Sequence, residues 1–145
     1  PEIDENELLG DFRRHHVSGQ VRYITFVGDT KVKGLEIFKY LVINFPDEKF
    51  LIVGNVKLDY KNVSHIKYAE IANILAKTKI LLVPSQWDEA YGRVVREAAI
   101  CNVVTLASSV GGIPEAAGGS TVLVPNHCNL EEWRHLLNNL LENDL

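Results

Sequence analysis

The sequence has no methionine, only two cysteines and no apolar run near the roughly 18 residues that a membrane-crossing helix needs. Cys101 and Cys128 are too few for a disulfide framework and lack Cys-x-x-Cys spacing, so a reducing compartment is expected. No basic segment leads into an apolar stretch, so no signal peptide is expected. There is no basic stripe with interleaved aromatics, which argues against a nucleic-acid binder. His15, His16, His65, His127 and His135 form no metal-ligand spacing. Both GxGxxG and GxxxxGK[ST] are missing, and with them the dinucleotide fingerprint and the P-loop. The chain begins at Pro1, and with methionine absent the expectation is an excised piece of a longer protein.

What is present is an ordinary globular composition. Of 145 residues, 46% are hydrophobic and 23% charged. That length favours one domain and can bury about two-thirds of its unfolded surface without a disulfide or metal. Fifteen Lys and Arg against nineteen Asp and Glu give a net charge of −4, unevenly placed. Residues 1–20 hold five acids and two bases, and residues 131–145 hold four acids and one base. The stretch between holds ten acids and twelve bases, a balance that accommodates a small anionic ligand.

Residues 1–20 are acidic with little periodicity and read as a linker or lead-in; order is expected from Val21. From there strand and helix signals alternate. Tyr23–Val27, Phe50–Val53, Val63–Ile66, Ile80–Val83, Val103–Ala107 and Thr121–Val124 are short apolar or β-branched runs. Helices are expected over Gly34–Phe45, Tyr68–Ala76, Arg93–Cys101, near Ile113-Pro114-Glu115, and over Leu130–Leu141. Apolar strands without alternation, separated by helices, mean a parallel sheet covered on both faces. The expected fold is therefore an α/β, doubly wound, Rossmann-like domain, whose ligands sit at the carboxyl ends of the strands beside helix N-termini.

Three strand-to-helix loops carry candidate chemistry. The first runs from Gly28 through Asp29, Lys31 and Lys33 to Gly34, where lysines and free N–H groups could cradle phosphate. A plain turn with solvated lysines fits it equally well. The second, Pro84–Ala98, places Glu89 in the loop, Gly92 at the helix start and Glu97 about one turn inside. A diphosphate on the helix N–H groups would leave both carboxylates to accept hydrogen bonds from sugar hydroxyls. Singly, Glu97 reads as a first-turn acid and Glu89 as a solvated charge. The third loop is Ser108–Glu115, with Gly111-Gly112 before Pro114.

The ordered set resembles the C-terminal, donor-binding domain of family-4 glycosyltransferases, retaining enzymes of GT-B fold, over about residues 21–124. Ile24-Thr25-Phe26-Val27-Gly28 with Lys33-Gly34 is similar to the family's first strand and its Lys-Gly, and Phe50–Gly54 to its second strand. Leu82-Val83-Pro84-Ser85, Glu89, Tyr91-Gly92 and Glu97-Ala98 resemble its Pro-Ser and E-x7-E signature. Gly111-Gly112-Ile113-Pro114-Glu115 matches its Gly-Gly-Ile-Pro-Glu. The resemblance implies that Lys33 binds the donor diphosphate, Glu89 contacts the transferred sugar, and the backbone at Tyr91, Gly92, Arg93 and Val94 holds sugar and phosphate. It further implies that Glu97 holds the ribose hydroxyls and that the base rests near Gly54 and residues 66–68. Glu89 and Lys33 would be the catalytic pair, with Gly28 at the donor's edge.

The family commonly has an arginine where Asp29 follows Gly28, and Lys31 or Arg93 would supply the second positive charge. The Gly-Leu-Leu-Val-Pro ending is altered to Ser120-Thr121-Val122-Leu123-Val124-Pro125. The resemblance implies a nucleoside diphosphate sugar as donor, no metal, no cofactor, and a separate N-terminal domain for the acceptor. Residues 21–145 would be the donor-binding domain of a cytoplasmic enzyme, with peripheral contact to a membrane left open. The alternatives are a non-catalytic nucleotide-binding module and another GT-B enzyme such as a nucleotide-sugar epimerase.

Overall fold

The computed structural model describes residues 2–28, 34–67, 69–86 and 92–143. The elements run α1 (Glu5–His15), β1 (Tyr23–Val27), α2 (Leu35–Asn44), β2 (Phe50–Val53), β3 (Val63–Ile66) and α3 (Ile71–Ala76). They continue with β4 (Thr78–Val83), α4 (Arg93–Ile100), β5 (Val104–Ser108), α5 (Ile113–Ala116), β6 (Thr121–Val124) and α6 (Leu130–Glu142). The six strands form one sheet in the order β3-β2-β1-β4-β5-β6. Every pairing is parallel. This is the doubly wound α/β arrangement expected from the apolar runs, with its topological switch point between β1 and β4.

The inner strands β2, β1, β4 and β5 are buried almost throughout because both faces are covered, whereas the edge strand β3 exposes Ser64 and His65. Alternate residues point to opposite layers. Ile24, Phe26, Phe50, Ile52, Ile80, Leu82 and Leu106 pack on α2 and α6 through Phe38, Leu41, Trp133 and Leu137. Phe38 stacks on Phe26 at 5.0 Å between ring centroids and meets Phe50 edge-on at 5.7 Å. On the other face Leu81, Val83 and Ala107 meet Leu75, Val95, Ala98 and Ile113. The buried Thr78 hydroxyl lies 2.9 Å from that of Thr25 and 2.6 Å from the Ile74 carbonyl, so the central strands carry no unpaired threonine there.

The lead-in expected over residues 1–20 is corrected. Residues 5–15 form α1, begun by Asp4, whose carboxylate accepts from the Glu7 N–H at 3.1 Å. Leu8 is buried with Ala72, Leu75, Val95 and Ala98, and Ile3, Leu9 and Phe12 pack against the same cluster. The helix exists because a narrow apolar stripe finds a groove between α3 and α4; its acidic outer face and Gly10 hid that stripe in the sequence. Other boundaries move by one to three residues: α3 starts at Ile71, β4 at Thr78 and β5 at Val104.

Candidate functional site

Two glycine-led helices begin at the switch point. α1 and α6 are capped by the side chains of Asp4 and Asn129. α2 and α4 begin instead at Gly34 and Gly92, both left-handed, and no side chain caps either. Gly92 serves packing as well. A Cβ there would stand 3.0 Å from the Ala116 Cβ and 3.2 Å from the Gly112 carbonyl oxygen, so α4 and α5 start in close contact.

A cleft of about 900 Å3 opens beside this point. Its floor is the carboxyl ends of β1 and β2, at Val27, Gly28, Val53 and Gly54, and one side is Arg93 and Glu97 of α4. Gly28 N donates to Val53 O and Gly54 N to Ile66 O, each at 2.9 Å, which fixes the floor in the sheet's own ladder. Asn55, Lys67 and the start of α3 line the next stretch. The far wall is the N-terminal half of α1, where Glu2, Asp4, Glu7 and Asp11 face the opening.

Glu97 is 7% exposed, unusual for a carboxylate. Its Oε2 lies 3.8 Å from Arg93 Nε one turn earlier. Burial pushes its pKa above the usual carboxylate value, and the Arg93 charge pulls it partly back. One turn later, burial and the neighbouring Glu97 charge push the Cys101 thiol up to about 11, which makes it an inert core residue. A buried acceptor-only group on a cleft wall is suited to hydroxyl donors, and exposed Arg93 at the helix N-terminus is suited to an anion.

The structure thus brings together Gly28, Gly54, Arg93 and Glu97. Val94 sits apart, on a cavity of about 30 Å3 with Val83, Pro84 and Ser85, space for one water molecule. Gly92 is buried at the α4–α5 contact. Lys31, Lys33, Glu89 and Tyr91, together with Asp29, lie outside the described residues. In the third loop Ser108 is fully buried with an unpartnered hydroxyl, and Ile113 and Ala116 enter the core. Among the described residues no group of three or more His, Cys, Asp or Glu side chains is placed to hold a metal ion. The acidic α1 wall was missed; the Asp4-x-x-Glu7 capping pattern was the available signal.

The profile of the family described as "Glycosyl transferases group 1" matches residues 15–145. The chain belongs to that family. A Klebsiella pneumoniae protein described as "Uncharacterized 42.6 kDa protein in cps region" is 31% identical over 118 residues, covering 74% of this chain and 30% of that protein. A GDP-mannose-dependent monoacylated alpha-(1-6)-phosphatidylinositol monomannoside mannosyltransferase of Corynebacterium glutamicum is 28% identical over 119 residues, 69% of this chain and 31% of the relative. Among solved structures, Anabaena Alr3699/HepE in complex with UDP superposes with a TM-score of 0.75 at 20% identity, covering 97% of this chain and 46% of that one. WaaG, a glycosyltransferase involved in lipopolysaccharide biosynthesis, gives 0.66 at 19% identity over 99% and 43%. This group 1 chain therefore spans about a third of these curated relatives and under half of these solved chains, which share its fold.

Proposed function

We propose that this chain is the donor-binding half of a retaining glycosyltransferase that takes its sugar from a nucleoside diphosphate. The observation that carries this reading is Glu97, buried on the wall of a 900 Å3 cleft at the β1–β4 switch point, next to an uncapped helix start bearing Arg93. Group 1 membership and the E-x7-E spacing from Glu89 to Glu97 support it. Glu97 accepts from the ribose hydroxyls, and the base lies toward Gly54 and residues 66–67. The diphosphate meets the α4 N-terminus, Arg93 and the lysines Lys31 and Lys33, while Glu89 faces the transferred sugar.

In the reaction the bond from the anomeric carbon to the phosphate oxygen breaks, and the nucleoside diphosphate leaves with the electron pair. The acceptor oxygen bonds to the same carbon on the same face and releases its proton. The chain's contribution is electrostatic: fixed N–H groups and cations stabilise charge growing on the leaving diphosphate, with no part assigned to a metal or other cofactor. A second domain holds the acceptor, and the reaction belongs to the cytoplasmic side, where nucleotide sugars are the available donors.

The test is calorimetric titration of this chain with UDP-, GDP- and ADP-sugars, beside Glu97→Ala and Lys33→Ala. Selective binding to one base, weakened about tenfold or more by Glu97→Ala, is expected from the loss of charge-assisted hydrogen bonds. Equal binding by wild type and both variants would overturn the donor site. Binding followed by epimerisation without acceptor would give the protein to the epimerases. In the longer protein, full transfer activity after Glu89→Ala would remove that residue from the chemistry.

A further inference from the structure

A second surface lies at the opposite end of the sheet, away from the cleft. The parallel strands all begin there. In the neighbouring strands β3, β2, β1 and β4, a base stands immediately before β2, β1 and β4, and one residue further out before β3. These are Lys49, Arg22, Lys77 and Lys61. Backbone bonds hold the row in register: Tyr23 N donates to Lys77 O, Ile24 N to Lys49 O, and Phe50 N to Asn62 O, at 2.8–2.9 Å. Adjacent strands lie about 4.8 Å apart, so the row is a ribbon of positive charge about 15 Å long. Arg13, at the end of α1, extends it.

None of these five bases forms an ion pair among the described residues. Their neighbours Arg14 and Lys79 are paired, with Asp11 and Glu48. Asp47 and Asp59, exposed two residues before Lys49 and Lys61 respectively, offset part of the charge. The same end also exposes apolar side chains. Four large hydrophobics are exposed among the described residues, and three of them, Val17, Val21 and Ile43, are here. Val17 and Val21 flank the turn between α1 and β1 at 59% and 47% exposure. Ile43 lies in the last turn of α2, which runs from the switch point to this edge.

We propose that this amino-terminal edge of the sheet is a docking surface for an anionic membrane. Unpaired Lys and Arg attract acidic headgroups, and isolated apolar side chains between them enter the interface. Among the described residues no Phe, Tyr or Trp is fully exposed at this edge for bases to stack on, which makes a single-stranded nucleic acid a poorer fit. Docked this way, the domain turns its cleft toward the aqueous side, where a soluble ligand arrives. The proposal is independent of what the cleft binds.

The experiment is co-sedimentation of the full chain with phosphatidylcholine vesicles, with and without about one-third phosphatidylglycerol. The variants are Arg22→Glu/Lys49→Glu/Lys77→Glu and Val17→Ser/Val21→Ser, each checked for an unchanged thermal midpoint. Binding only to the anionic vesicles is expected. It should fall at least about tenfold in the charge-reversed variant, fall with added salt, and fall more weakly in the serine variant. No sedimentation with anionic vesicles overturns the proposal. So does equal binding by the charge-reversed variant, which would place the contact elsewhere. Equal retention on a soluble polyanion, with no loss in the serine variant, would make the edge a polyanion site instead.

Discussion

Gly34 lies directly under the Pro84 carbonyl. Its φ is +94°, and a Cβ built on it would collide with the Pro84 carbonyl oxygen and carbon. This contact joins the start of α2 to the end of β4, across the switch point at which the candidate site is built. The carbonyl is backbone and cannot swing aside. Gly34→Ala combines left-handed strain with a backbone clash and should cost at least about 2 kcal/mol. Chemical denaturation of the two proteins reads it directly; equal midpoints would mean that this approach is not maintained in solution.

Glu97 ties stability to pH. Its carboxyl titrates higher in the folded chain than in the unfolded one, so the folded state binds more protons over that interval. Stability therefore declines as pH rises from about the unperturbed value of 4.5 through the raised folded value. Glu97→Gln removes the buried charge, and its thermal midpoint at neutral pH should be higher and flatter with pH than wild type. Ligand hydroxyls bond more strongly to a carboxylate than to a neutral amide oxygen, so the same substitution should weaken nucleotide-sugar binding about tenfold. A gain in stability with a loss of binding is the signature; a loss of both would mark Glu97 as merely structural.

Leu8 tests whether α1 belongs to the folded body. It is 8% exposed and packs on α3 and α4. Leu8→Ala should cost about 2–4 kcal/mol, and Asp4→Ala about 1 kcal/mol through the lost cap. A chain starting at Val21 should expose the Ala72, Leu75 and Ala98 groove and bind a hydrophobic dye. Unchanged stability of both point variants would restore residues 1–20 to the role of a lead-in.

The sheet was legible because burial on both faces leaves an unbroken apolar run, a signal short strands such as Phe50–Val53 carry without outside help. α1 was not legible, because Gly10 interrupts it and its apolar stripe is narrow; it forms on a groove that only the distant α3 and α4 supply. The same gap explains the site. Gly28, Gly54, Arg93 and Glu97 follow from strand ends and a helix start, which topology fixes. The carboxylates of Glu2, Asp4 and Glu7 opposite them depend on long-range docking. Spacing also cannot tell an inward glycine from an open one, and Gly92 turned toward Ala116.

The pairing of β1 with β4 sets the order in which this chain can assemble. Ile24 is in register with Ile80, fifty-six residues on, while β1–β2 and β4–β5 close much shorter segments. Each half of the sheet can gather itself locally, and the seam between them closes at the greater entropic cost of the longer loop. The cleft takes its floor and far wall from residues before that seam, and Arg93 and Glu97 from beyond it. Occupancy of the cleft would therefore fasten two folding units to each other. Amide protons of β1 and β4 would register it as slowed exchange, while those of the outer strand β6, which lines no part of the cleft, would stay nearly as they were.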